Sequence, residues 1–242
     1  MPPIEVLLPL GAVAFYLFDA SVMLCGDELA LEWHARRWRV SGGLDVLLGG
    51  RRLFLPNPFT PHALLFRVRW GEDAAEPGSD VYPRLEQLDR ALAPVKIPVV
   101  ALAVILFGVL PPVSWYYGAG AALLAVFGAA YVLVGAALVL LFRRRTALGL
   151  SPRRYAGLAL EALACAPFAI NLVRKVSMSQ SQCLHVESLA AGHFDAPARR
   201  SMATVVAARI GERLALEDDG SARAAKLVAL RDRMRRLSRD PD

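Results

Sequence analysis

The chain has 242 residues, 55% of them hydrophobic, with a mean hydropathy of +0.39 and a formal net charge of +6. This composition disfavours an ordinary soluble domain. The excess positive charge follows residue 142: residues 143–154 hold five Arg and no acid, and residues 174–242 hold thirteen Lys and Arg against nine Asp and Glu. Anionic lipid or an acidic partner suits this distribution. Nucleic acid is the weaker interpretation, because aromatic residues do not interleave with the basic tail.

The first segment, residues 1–26, is predicted to be a transmembrane helix. Residues 4–25 are apolar apart from Glu5 and Asp19. A cleaved signal peptide would need a positively charged start and a small residue before the cut, whereas Leu24 precedes Cys25 here. The segment is therefore interpreted as retained in the protein.

Residues 27–95 are predicted to form a small cytoplasmic β-rich domain. Residues 66–70 alternate strictly, which places Phe66, Val68 and Trp70 on one face and two arginines on the other. Three prolines make residues 55–62 a rigid loop of the kind that presents a recognition surface. An acidic linker over residues 72–80 and a short amphipathic helix over residues 83–93 complete the segment.

Residues 96–145 are predicted to form a transmembrane helical hairpin. Residues 97–142 contain no Asp, Glu, Lys or Arg, and these 46 residues are enough for two crossings. The aromatic run at residues 115–117 fits the turn between the helices at the membrane surface. Within the first helix, the pair Pro111-Pro112 is predicted to kink or end it near Leu110.

Small residues recur along the second helix of this hairpin, at Gly120, Gly128 and Gly135. Their spacing of eight and seven residues is close to whole helical turns, so they form one stripe. Such stripes let helix backbones approach closely in lipid. The sequence leaves two alternatives open: packing against the preceding helix of the same chain, or packing against a helix of a partner.

Residues 150–176 are predicted to form a re-entrant or interfacial helix, with a fourth transmembrane helix as the alternative. Ser151 caps it and Pro152 takes the first helical position. Basic residues on both sides favour two cytoplasmic ends. Glu161 lies within this segment, and an ionisable group at membrane depth indicates a functional site by default. For Glu161 and Asp19 the alternative is pairing with a nearby arginine or reaching the headgroups.

The tail, residues 177–242, is predicted to be a basic cytoplasmic αα-hairpin. The first helix has an apolar face opposite Arg209 and Arg213. Asp195 is predicted to cap this helix, and Ser221 the next one. Basic residues that could contact lipid headgroups or a partner lie at the end of the membrane hairpin and within the second tail helix: Arg143, Arg144, Arg145, Arg231, Arg233, Arg235 and Arg236. A plain solvated helix face is the alternative for the tail.

The predicted fold class is therefore a membrane α protein with a small β-rich segment and a helical hairpin at its C-terminus. About three transmembrane helices are predicted, with four as the alternative. Lys and Arg placement puts the N-terminus outside, and residues 27–95 and the tail in the cytoplasm, as expected for a multi-pass protein of a bacterial inner membrane. The leading hypothesis is a non-catalytic accessory, assembly or scaffold subunit, bound to other membrane subunits or to itself.

The residues leave two other functions open. A transport or channel component would use Asp19 and Glu161 facing one cavity. A lipid-acting enzyme around His62 has little beyond location to support it. Nucleotide-binding and common hydrolase motifs do not occur in the sequence. The residues Cys183, His185 and Glu187 match no zinc spacing, so no metal and no cofactor are predicted.

Overall fold

The computed structural model describes residues 4–35, 37–44, 46–70, 81–118, 120–180, 194–215, 217 and 221–239. Most of these residues are helical, and a small part forms short strands. The chain divides into two compact units. The first, here the helical unit, contains residues 1–21, 56–64 and 83–177, and the second, here the mixed unit, contains residues 22–55, 65–82 and 178–242.

The helical unit is built around two apolar helical stretches that lie side by side. The first stretch runs through α2, a π-helical turn and α3, and the second is α4. Helix α1 and three shorter helices, α5 to α7, complete the unit. The bounds of these elements are α1 Ile4–Ala20, α2 Val81–Val104, the π-helical turn Ile105–Val109, α3 Leu110–Tyr117, α4 Ala121–Arg144, α5 Pro152–Ala164, α6 Ala166–Ala169 and α7 Leu172–Gln180.

Among the residues that the structure describes, two helices are long and apolar enough to cross a bilayer, where the sequence predicts the helical hairpin. They are Leu85–Tyr117, with 33 residues, and Ala121–Arg144, with 24 residues. At 1.5 Å per residue the shorter one is about 36 Å long, which exceeds the bilayer core of about 30 Å. Only 33% and 28% of their most apolar windows are buried within the protein. Core helices of soluble proteins are mostly buried, so these helices leave an unusual amount of apolar surface uncovered.

Helix α1 is shorter than the sequence predicts. It ends at Ala20 and the chain enters strand β1, Val22–Leu24, although the residues that follow Ser21 are apolar as far as Cys25. The Ser21 hydroxyl donates to the Phe18 carbonyl at this end. Val22 and Leu24 are buried in a cluster with Phe54, so strand pairing wins over the tendency of an apolar run to continue as helix. The number of membrane crossings stays a prediction.

The proline pair does not end the first membrane-length helix. The helix changes to a π-helical turn at Ile105–Val109 and then continues as α3 to Tyr117. Pro111 and Pro112 have no N–H to donate to the turn before them, and a wider turn accommodates this loss. Of the two outcomes predicted near Leu110, an end of the helix is wrong, whereas a local distortion is present in the turn that precedes the prolines.

The segment over residues 150–176 is not a single helix. Ser151 caps α5 as predicted, since its hydroxyl accepts from the Arg154 amide at 3.3 Å. Cys165 then adopts an extended conformation and interrupts the helix. Helix α5 has 13 residues and is about 20 Å long, which is too short to cross a bilayer core alone. The segment therefore contains no single continuous helix of membrane length, and whether it crosses the bilayer stays a prediction.

In its described residues, the mixed unit contains six short strands in two three-stranded sheets. One sheet has the order β1-β5-β4 and the other the order β3-β2-β6. In the first, β5 is antiparallel to both neighbours, and in the second, β2 pairs antiparallel with β3 so that Trp33 lies opposite Trp38. The strands after β1 are β2 Glu28–His34, β3 Arg37–Ser41, β4 Leu47–Leu48, β5 Arg51–Phe54 and β6 Leu64–Arg69.

The alternation predicted for residues 66–70 is confirmed, because Phe66, Val68 and Trp70 are buried while the two arginines between them are exposed. Aromatic contacts extend this core. The Trp38 ring lies 5.9 Å from that of Phe66 and 5.4 Å from that of Phe194. The prediction of an acidic linker over residues 72–80 lies outside the described residues.

Two tail helices, α8 Ala196–Leu214 and α9 Ala222–Arg239, pack against each other, and α8 also packs on β3. Their caps are as predicted: the Asp195 carboxylate accepts from the Ala198 amide, and the Ser221 hydroxyl accepts from the Ala224 amide. The placement of Arg209 on the solvent face is wrong. Arg209 is 5% exposed and donates to the Gly42 carbonyl, because α8 is covered by strand residues on that side as well.

Candidate functional site

The polar side chains of the helical unit meet at Lys175, in the first turn of α7. Its Nζ lies 2.6 Å from Asp19 Oδ1, near the end of α1, and 2.6 Å from Glu161 Oε2, in the last turn of α5. Lys175 and Asp19 are largely buried, whereas the Glu161 side chain is 53% exposed. The two ionisable residues singled out from the sequence therefore converge, and their shared partner is a lysine in place of the arginine that was considered.

Asn171 extends this cluster towards the interior. It lies between α6 and α7 and is 1% exposed. Its side-chain amide both donates and accepts hydrogen bonds. Its Nδ2 donates to Asp19 Oδ2 at 3.0 Å and to the Tyr16 carbonyl at 3.2 Å. Its Oδ1 accepts from Arg174. Asn171 thus connects the Asp19 carboxylate to a second cation, and it ties the helix break to α1.

Arg174 is buried with only neutral partners among the described residues. It is 1% exposed. One terminal nitrogen donates to the Tyr16 hydroxyl at 3.2 Å and to Asn171 Oδ1 at 3.3 Å. The other donates to two backbone carbonyls, of Asn57 at 2.5 Å and of Thr60 at 2.9 Å. A guanidinium group presents several donors in a fixed plane, so one side chain can hold two carbonyls and two side chains together.

The carbonyls bound by Arg174 belong to the proline-rich loop predicted as a rigid surface. Between them, the Pro58 carbonyl accepts from the Tyr16 hydroxyl at 2.9 Å. The Asn57 side chain accepts a hydrogen bond from the Phe59 amide, and the Thr60 amide donates to the Asn57 carbonyl. These bonds direct the loop carbonyls inwards and leave the Phe59 side chain 89% exposed. The loop is fixed by buried polar contacts and presents an aromatic side chain outwards.

Lys175, Asn171 and Arg174 were missed as site residues in the sequence, where the two cations were counted only as a basic flank. Their spacing held a usable signal, because residues three and four apart lie on one helix face. Asn171 precedes Arg174 by three residues and Lys175 by four. A polar face at the end of an apolar segment that also contains Glu161 would have predicted a polar cluster, although not its partners on α1 and in the loop.

Chemically, the cluster is an ion-pair and hydrogen-bond network, with two cations and two carboxylates of opposite formal charge. Partly buried charges of this kind are retained only where each has partners, since an unpaired one is costly. Each charged group here has at least one partner. Such an arrangement fastens α1, α5, α7 and the loop to one another.

The glycines predicted for helix packing lie apart from this cluster. Gly120 precedes α4 in an extended conformation and is not part of the helix. Gly128 and Gly135 lie in α4, where an added Cβ would meet no described atom within 4 Å. The open space means that these two glycines do not mediate a close approach to another helix in the described part of the chain. Their role in partner packing stays a prediction.

The predicted lipid-contact or partner-contact arginines occupy two places. Arg143 and Arg144 are exposed in the last turn of α4, and the Arg145 guanidinium lies 4.6 Å from the Phe142 ring centre. In α9, Arg233, Arg235 and Arg236 are exposed, and Arg231 is half-buried beside Asp232. Across the residues that the structure describes, no group of three or more His, Cys, Asp or Glu side chains is positioned for a metal ion. The residues Cys183 to Glu187 lie outside that part.

No protein-family model, no curated protein and no solved structure matches this chain.

Proposed function

We propose that this chain is a non-catalytic integral membrane protein that acts as an accessory, assembly or scaffold subunit of a membrane complex. The helical unit lies in the bilayer of a bacterial inner membrane, with the N-terminus outside. The mixed unit presents binding surfaces to the cytoplasm. The partners are other membrane subunits or further copies of the chain.

The observation that carries the membrane part of the proposal is the apolar surface of the helical unit. Most of the exposed large hydrophobic side chains belong to this unit. In α1 the buried positions Ala12, Tyr16 and Ala20 follow one face, and the exposed positions Leu7, Leu10 and Phe18 are apolar. A soluble protein places polar residues on such faces, because large exposed apolar patches favour association.

The number of hydrogen bonds and ion pairs in the cluster supports a structural role over a transport role. Asp19 accepts from Asn171 and is paired with Lys175, and Arg174 is held by four acceptors. A group that exchanges protons or ions must leave its partners during the cycle. Each contact broken around a largely buried charge adds to the cost of that step.

Purification in a mild detergent from native membranes tests the proposal. We expect a stoichiometric partner, or a defined oligomer, to remain with the tagged chain after size-exclusion chromatography. The chain itself should stay in the pellet after alkaline carbonate extraction of the membranes. Release by carbonate would contradict the membrane assignment, and a monomer without any partner would contradict the subunit assignment.

A transport or channel component is the second candidate, favoured by one observation: Glu161 shares Lys175 with Asp19 and is half-exposed. Protonation of Glu161 would release Lys175 from one of its two partners. In that case vesicles containing the purified protein should show a proton or cation flux that Glu161→Gln abolishes. Glu86, which is 43% exposed and pairs with Arg90 near the start of α2, gives the matched control Glu86→Gln. Equal flux in protein-containing and empty vesicles would eliminate this candidate.

A further inference from the structure

The first sheet of the mixed unit has one apolar face that the described residues do not cover. Strand pairing places Met23 opposite Leu53, and Leu48 opposite Arg51. Side chains alternate along each strand, so Met23, Leu53 and Leu48 lie on the face opposite the buried Val22, Leu24 and Phe54. Apolar residues on or beside this outer face with 36 to 51% exposure are Met23, Leu44, Val46, Leu48 and Leu55.

The second sheet of the same unit shows what a solvent face looks like in this chain. Along β3, Arg37 and Arg39 are exposed and alternate with the buried Trp38 and Val40. Along β6, exposed arginines alternate with buried apolar residues in the same way. A sheet with one solvated face is expected to alternate between apolar and polar residues. The outer face of the first sheet departs from this rule, with Arg51 as its charged member in the paired strands.

The apolar surface continues to the tip of the hairpin that joins β4 and β5. Gly49 and Gly50 form the turn with φ angles of 58° and 77°, which glycine adopts without strain. Leu47 and Leu48 precede the turn and are exposed on opposite sides of the strand. A protein partner docked on the sheet would cover one side of this tip. A medium that surrounds the tip would cover both.

We infer that the outer face of the β1-β5-β4 sheet, with the tip of its hairpin, lies in the interfacial layer of the lipid bilayer. The inference rests on the proposed membrane location of the helical unit. Chain connectivity supports the lipid as occupant, because β1 begins at Val22 and the apolar helix α1 ends at Ala20. Such a short connection keeps the sheet at a high local concentration near the membrane surface. Arg51 at the tip can extend its guanidinium to the phosphate headgroups while its stem stays among apolar groups.

Depth-dependent fluorescence quenching tests this inference on the full chain in phosphatidylcholine vesicles. The three native cysteines are replaced by serine, and one reporter cysteine is labelled with an environment-sensitive dye. Leu48→Cys reports on the outer face and Arg39→Cys reports on the solvent face of the second sheet. Leu124→Cys, on the exposed side of α4, reports on the membrane location of the helical unit.

We expect a lipid carrying a spin label near its headgroup to quench the dye at position 48 about twofold or more strongly than at position 39. Aqueous iodide should show the reverse order. Lipid quenching at position 124 with none at position 48 would overturn the sheet inference and leave the membrane proposal intact. Absence of lipid quenching at position 124 would overturn both. Shielding of position 48 from both quenchers would show that protein covers the face, which also overturns the inference.

Discussion

Lys175 and Asp19 form an ion pair at 2.6 Å between α7 and α1, and Lys175 holds Glu161 at the same distance. One lysine thus serves two carboxylates from different helices. Since Lys175 and Asp19 are largely buried, loss of the lysine leaves a charge with little solvent to replace its partner.

Lys175→Met is expected to lower the free energy of unfolding by about 3 kcal/mol, because Asp19 loses its cationic partner in a largely buried position. Denaturant titration of the purified protein in mild detergent measures the change. Arg90→Met is the matched control. Its pair with Glu86 is exposed, so about 0.5 kcal/mol or less is expected there. Equal effects of the two variants would contradict a structural role of the cluster.

Asp19→Asn and Glu161→Gln are expected to differ, although both carboxylates bind the same lysine. Asp19 also accepts from Asn171, whereas Glu161 is 53% exposed and loses mainly a solvent-screened pair. The expected losses are about 2 kcal/mol for Asp19→Asn and less than about 1 kcal/mol for Glu161→Gln. The same titration checks the order. A larger loss for Glu161→Gln would show that its partial exposure has been misjudged.

Arg174→Lys is expected to loosen the loop over residues 56–64, because a lysine ammonium cannot reproduce the planar set of four bonds. Hydrogen exchange at the Thr60 and Ala63 amides, which close the turns of this loop, should become about tenfold faster. Arg154→Lys, at an exposed position of α5, is the control that should leave exchange unchanged. Unchanged exchange in both variants would mean that the prolines alone hold the loop.

Gly128→Leu is expected to leave the isolated fold intact, since Gly128 is exposed and an added Cβ there meets no described atom of another element within 4 Å. Higher helix propensity could even stabilise it by about 0.5–1 kcal/mol. Ala137→Leu in the same helix should destabilise it by about 1–3 kcal/mol, because Ala137 is 1% exposed. If α4 binds a partner helix through its glycines, Gly128→Leu should release that partner during purification. Retention of the partner would place the contact elsewhere.

Local rules were enough to predict several features from the sequence. The alternation at residues 66–70 and the caps at Ser151, Asp195 and Ser221 depend on neighbours within a few residues. The amphipathic face predicted for residues 83–93 is present, since Leu85, Leu88 and Leu92 share one face of α2 and are buried. The helix there is continuous with the membrane-length stretch, so the short amphipathic helix predicted over residues 83–93 is its first part.

Long-range partners could not be predicted in this way. Arg209 has the local setting of a solvent-facing residue in an amphipathic helix, but a carbonyl from the loop after β3 reaches it. Residues 55–62 are predicted as a surface loop. Two of their carbonyls are held by Arg174, which lies more than a hundred positions later in the chain. The periodicity of a segment describes its own faces and contains no information on which segment will cover them.

The sequence by itself determined where the apolar helices lie and that two of them exceed the thickness of a bilayer core, because length and charge exclusion are properties of a continuous segment. It also identified Asp19 and Glu161 as unusual ionisable residues. The tertiary structure decided that both bind Lys175, that α1 stops at Ala20, and that Arg174 fixes the loop. These outcomes depend on packing between segments that are distant in the sequence. An unpaired buried charge or polar group is costly, so the need for a partner outweighs the conformational preference of the local sequence.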